Sequence, residues 1–148
     1  MIGLKEAKTK FCVAAESDCL YPPEYFSFEP ERDDSVYRYT NVYVYFHGRD
    51  GFWKKPWSEG SQLCGRKFWI EQLEKKLDGY PEWEPINGKR YLQSVFKTKN
   101  EFSWESENPV VTFKTRRGIT FGTGYINGRI KSLPYWGRAK PLYEGLYT

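Results

Sequence analysis

From Pro109 to Thr148 the chain sets seven bases, Lys114, Arg116, Arg117, Arg129, Lys131, Arg138 and Lys140, against one acid, Glu144. Aromatic side chains run among them: Phe113, Phe121, Tyr125, Tyr135, Trp136, Tyr143 and Tyr147. Cations neutralise phosphates and flat rings stack on bases, so this mixture is the chemistry of a nucleic-acid surface. Phosphate contacts are expected from Lys114, Arg116, Arg117, Arg129, Lys131 and Arg138. Stacking is expected from Tyr125, Tyr135 and Trp136. The plainer alternative is that hairpin tips are solvated and edge strands carry Lys and Arg against aggregation. Gly122-Thr123-Gly124 is not a P-loop, because it lacks the Gly-Lys-Ser/Thr ending and no helix is expected after it.

A second candidate is a ladder of phenols. In the alternating stretch from Val36 to His47, Tyr37, Tyr39, Tyr43 and Tyr45 fall on one face and Val36, Val42, Val44 and Phe46 supply the aliphatic one. Such a ladder serves as an interface, with Tyr43 and Tyr45 as further stacking groups. Alternatively a neighbouring segment covers it, here residues 21–35, and each phenol finds a partner at the rim of the core.

Conventional catalytic signatures are weak. His47 is the one histidine. His47-Gly48 at a strand end resembles one step of the ADP-ribosyltransferase arrangement of His, Tyr and Glu, yet no Tyr or Glu pairs with it by spacing. No Ser sits in a nucleophile elbow. Glu82 and Glu84 flank Trp83, and Glu105 and Glu107 lie near Trp104. Paired carboxylates serve acid–base or metal chemistry, with Lys89 as a loose third member of a nuclease-like set, but glutamates two apart more often form an exposed strand edge. The three cysteines, Cys12, Cys19 and Cys64, have no C-x-x-C spacing. Neither a disulfide framework nor a zinc site is expected, and no cofactor is implied.

The elements that must position these groups are partly legible. Tyr21-Pro22-Pro23 and Pro30 predict an irregular arm over residues 21–35. Val36 to His47 predicts a strand and Asp50-Gly51 a turn. Trp53 to Trp57 reads as a loop. Leu63, Ile70, Leu73 and Leu77 recur at near-helical spacing, predicting a helix over Ser61 to Leu77 that stops at Asp78-Gly79. Asn87-Gly88 leads into a strand over Lys89 to Lys99. Val110 to Thr115 and Ile119 to Ile126 read as a hairpin. Asn127-Gly128 then turns into a strand ending at Leu133, and Pro134 and Pro141 make the tail irregular. The expected fold class is α+β: a single domain over residues 1–148, with a twisted, mainly antiparallel sheet, partly closed as a barrel in one variant, and one main helix packed on it.

Composition bounds the object further. The 148 residues are 19% aromatic, enough for a core built from rings and a contact surface besides. The net charge of +4 divides into −4 over residues 1–36 and +8 over residues 37–148, an acidic arm and a basic body. Neither a signal peptide nor a membrane span is read, so a cytoplasmic protein with no membrane partner is expected. The leading functional expectation is a non-enzymatic protein that binds nucleic acid, or a nucleic-acid-handling complex, through its C-terminal half. One alternative is a small inhibitor of a host protein, in the style of virus-encoded anti-defence proteins. Another is a small enzyme with an aromatic-lined nucleotide or sugar pocket.

Overall fold

The computed structural model describes residues 2–46, 49–55, 58, 60–78, 98–114 and 126–147. Its elements run α1 (Ile2–Glu6), β1 (Phe11–Val13), β2 (Cys19–Leu20), α2 (Pro23–Phe26), β3 (Val36–Tyr39), β4 (Val42–Phe46), β5 (Phe52–Lys55) and β6 (Gln62–Gly65). They continue with α3 (Arg66–Leu77), β7 (Glu101–Trp104), β8 (Val110–Lys114), β9 (Ile126–Ile130), β10 (Ser132–Leu133), β11 (Gly137–Arg138) and α4 (Ala139–Tyr147). The fold is mixed α+β, with antiparallel pairing dominant. One sheet has the order β1-β6-β3-β7, a second β2-β8-β4-β5-β9, and β10-β11 forms a small hairpin. Among the described residues two pairs are parallel, β3 with β7 and β4 with β8. Among the described residues the sheets do not close into a barrel; the chain from β1 to β2 runs from the outer edge of one to the outer edge of the other.

The predicted strand over 36–47 is two strands. It breaks at Thr40-Asn41, where the chain leaves the first sheet for the second. Asn41 serves the break: its Nδ2 donates to the Ser106 carbonyl at 3.0 Å, and its Oδ1 accepts from Lys54 Nζ at 2.9 Å. Two residues outside the pleat shift the alternation. Tyr37, Tyr39 and Val42 therefore share one core cluster, whereas Tyr45 and the half-buried Tyr43 belong to another.

The first cluster is where the arm docks. Tyr25 is fully buried against Tyr39 and Trp104, its phenol donating to the Ala14 carbonyl at 2.8 Å. Phe28 stacks on Trp104 with centroids 4.8 Å apart and planes 15° from parallel. Each such aromatic pair adds roughly 0.5–1.5 kcal/mol beyond its buried area. Phenols on the sheet find partners at the rim: Tyr37 accepts the Arg32 N–H at 2.9 Å, and Tyr39 donates to the Asn108 carbonyl at 2.6 Å. The arm thus covers Tyr37 and Tyr39. In a third cluster α3 lays Trp69 and Leu73 on Val36 and Cys64.

Several boundaries differ from the sequence reading, each for an identifiable reason. The helix begins at Arg66 rather than Ser61, because Gln62–Gly65 pairs with β1 on one side and β3 on the other. Gly65 opens the helix where a Cβ would collide with the Asp33 carbonyl. The expected loop from Trp53 begins as strand: Phe52–Lys55 pairs with both β4 and β9, and Asp50-Gly51 turns between β4 and β5 as predicted. Asn127-Gly128 lies within β9 rather than turning. The tail is a hairpin and a nine-residue helix rather than irregular. Pro141 fits there because it occupies the first turn, where N–H groups lack intrahelical partners anyway. Of the expected strand over Lys89 to Lys99, residues 89–97 lie outside the described residues and Thr98-Lys99 form no strand; the Arg116-Arg117-Gly118 link of the expected hairpin and most of Ile119 to Ile126 lie outside them as well.

Candidate nucleic-acid interface

The C-terminal hairpin builds the site. Ser132 faces Arg138 and Leu133 faces Gly137, leaving Pro134, Tyr135 and Trp136 as the turn. The Trp136 N–H donates to the Pro134 carbonyl at 2.7 Å, so the turn closes over three residues, a γ-turn. Its central residue, Tyr135, has φ 63°, the one positive φ outside glycine among the described residues. A γ-turn of that sign is rare and strained, and a bulky side chain makes the strain worse. Gly137, at φ 71°, takes the next left-handed position at no steric cost.

The turn is held from below. Leu133 and Ala139 are buried in the second cluster with Tyr45, Phe52 and Phe113, and Trp136 packs against it. The Trp136 indole Nε1 donates to the Pro109 carbonyl at 2.6 Å. α4 contributes Leu142 and Tyr143, the latter stacked on Tyr45 at 4.8 Å. Tyr135 is left on top: 61% exposed, its ring edge-on to Trp136 at 4.7 Å. Its ring is largely open to solvent above a fixed base.

Cations stand at both feet of the hairpin. The Lys131 carbonyl accepts the Ala139 N–H at 3.1 Å, which brings Lys131 beside Arg138 and Lys140 along the chain. Arg129 is exposed at the end of β9, and its aliphatic stem lies over Gly51 where a side chain would otherwise stand. Lys131 and Arg138 are exposed as well, and among the described residues no carboxylate pairs with Arg129, Lys131 or Arg138. Lys140 is paired with Glu144 at 3.7 Å, one turn along α4.

The other predicted residues are placed differently. Lys114 is three strands from β9, roughly 14 Å at ordinary strand spacing, and is paired with Asp18 of the acidic arm at 3.7 Å. Tyr37, Tyr39 and Tyr45 are buried. Tyr43 is half-buried, with the Lys54 ammonium 5.0 Å from its ring centre; burial lowers the Lys54 pKa. Arg116, Arg117, Tyr125, His47, Glu82 and Glu84 lie outside the described residues. Glu105 accepts from Thr40 Oγ1 at 3.1 Å.

One group of metal-ligand type occurs among the described residues: Glu16, Asp18 and Cys19, with ligand atoms within 4.8 Å of one another. Asp18 already faces Lys114, and burial pushes the Cys19 thiol up to about 11, against the thiolate a metal needs. Among the described residues no helix is long and apolar enough to cross a membrane. No protein family, curated protein or solved structure matches this chain.

Proposed function

We propose that this protein binds single-stranded nucleic acid at the C-terminal hairpin, stacking a base on Tyr135 and holding phosphates with Arg129, Lys131 and Arg138. The observation that carries the reading is Tyr135 itself: an exposed ring at the centre of a strained γ-turn, fixed by Trp136 on Pro109. Strain of this kind costs roughly 1–3 kcal/mol and persists where surrounding structure over-determines it, most often at functional sites. A single ring on a projecting turn suits an unstacked base, because bases inside a duplex present edges rather than faces. Cations without carboxylate partners supply the charge that steers and holds the backbone.

Titration of labelled single-stranded and duplex oligonucleotides at about 50 and 200 mM salt tests the reading. The expected result is tighter binding of the single strand, weakened steeply by salt. Equal affinity for duplex would remove the stacking role, and no binding at the lower salt would remove the function.

A further inference from the structure

We propose that the outer edge of β1, with the apolar groove beside it, takes an extended segment of a partner protein in which apolar and basic residues alternate. β1 is the terminal strand of its sheet. The Ala14 N–H bonds the Gln62 carbonyl at 2.8 Å and the Arg66 N–H bonds the Lys10 carbonyl at 2.9 Å, so the hydrogen-bonded pairs fall on Lys10, Cys12 and Ala14. By the antiparallel alternation the main-chain groups of Phe11 and Val13 point away from β6. Thr9 Oγ1 takes the Phe11 carbonyl at 2.7 Å. The N–H groups of Phe11 and Val13 and the Val13 carbonyl have no hydrogen-bond partner among the described residues.

Next to this open ladder is a groove of about 420 Å³ lined by Phe11, Val13, Phe26, Phe28, Pro30 and Leu63. Val13 is 39% exposed and Phe26 56%. An unpaired strand edge beside an apolar groove is the arrangement by which sheets accept an extended peptide: main-chain bonds hold it, and alternate side chains drop into the groove.

Charge selects the occupant. Residues 11 to 31 hold five acids and no base. Asp18 is paired with Lys114, and Glu24 accepts from Asn108 Nδ2 at 2.6 Å. Glu16, Glu29 and Glu31 have no cation partner among the described residues. The bases on either side of this stretch, Lys10 and Arg32, are paired with Asp33 at 3.3 Å and with Asp34 at 2.6 Å. A basic strand is therefore attracted and an acidic one repelled. A second copy meeting edge to edge would set acid against acid.

The test uses the full chain and a capped synthetic heptapeptide alternating lysine and valine, with the glutamate–valine peptide as its counterpart. Amide hydrogen exchange, followed residue by residue by NMR, reports occupancy. The lysine peptide is expected to slow exchange at Phe11 and Val13, and the glutamate peptide is expected not to. Glu29→Lys with Glu31→Lys is expected to weaken the lysine peptide about fivefold while the fold is kept, two exposed charges being altered. Val13→Pro removes one outward N–H without removing a bond to β6, and is expected to abolish binding; the charge reversal stands independently if that variant fails to fold. No slowing at Phe11 and Val13, equal binding of both peptides, or protection that grows with protein concentration without peptide would each overturn the proposal, the last by making a second copy the occupant.

Discussion

The Trp136 N–H and the Pro134 carbonyl meet at 2.7 Å across Tyr135, whose φ of 63° is the strain that this closure imposes. Nothing in Tyr135 favours that geometry; the neighbours impose it. Pro134 enters with a fixed φ, the Trp136 indole is tied to Pro109, and Gly137 absorbs the next left-handed step. Replacing Tyr135 by glycine relieves the steric cost while giving back some chain entropy. The expected outcome is a gain of about 0.5 kcal/mol in urea unfolding, with nucleic-acid affinity reduced. A loss of stability above about 1 kcal/mol would show that the tyrosine ring, not the turn, holds the hairpin.

In the proposed site Lys131 and Arg138 act by charge. Each phosphate neutralised on a single strand contributes about 0.7 to the slope of log affinity against log salt. Lys131→Ala with Arg138→Ala should lower the magnitude of that slope by about 1.4, with unfolding stability within about 0.5 kcal/mol of the parent. The slope is measured by anisotropy titration at four or five salt concentrations. Lys114→Ala, which removes a cation already paired with Asp18, should move the slope less than either hairpin charge.

Trp104 ties the arm to the first sheet through Tyr25, Phe28 and Tyr39. Trp104→Ala is expected to cost about 3 kcal/mol, in the range for emptying a large aromatic site. Limited proteolysis should then cut within residues 21–35 well before the body. Undiminished resistance there would mean that the arm is held by contacts other than this ring stack.

Stability should fall on the alkaline side. Burial raises the Cys19 thiol to about 11 and the Cys64 thiol to about 12, and raises the Tyr21 and Tyr25 phenols as well. A raised folded pKa means that the unfolded chain releases these protons first, from about 8.5 for thiols and 10 for phenols. The contribution is complete below about pH 8.5 and is lost as pH climbs through 9 towards 12. Urea midpoints at pH 7, 9 and 10.5 should decrease in that order; a flat series would contradict the burial of these groups.

Much of the fold is legible in the residues, and the exceptions have physical causes. Tyr and Val alternation announces the strands at 36–46, but not the step at Thr40-Asn41, because a two-residue transfer between sheets leaves no periodic trace. Leu63 sits at helical spacing from Ile70, yet belongs to a strand, since pairing on both sides outweighs a weak local preference. The arm's role in covering Tyr37 and Tyr39 was readable from its prolines and rings. The candidate site is half legible. Lys131, Arg138, Tyr135 and Trp136 stand out by type, and the hairpin brings them together; Arg129 stands out as well and lies two residues before Lys131, on β9. The withdrawal of Lys114 by Asp18 is a contact between residues far apart in sequence, invisible to spacing. Pro134-Tyr135-Trp136-Gly137 carried a turn signal in its flanking Pro and Gly, although the sign of φ at Tyr135 follows only from the closed ring of contacts around it.

The most direct test of the account is the affinity of the Tyr135→Ala variant for a single-stranded oligonucleotide, measured beside the parent across the same salt series. Stacking on an aromatic ring contributes roughly 1–3 kcal/mol per base and carries no charge. The account predicts an affinity about tenfold lower at every salt concentration, with the salt slope unchanged. An affinity equal to the parent's would contradict it, and would leave the strained tyrosine without a part in nucleic-acid binding.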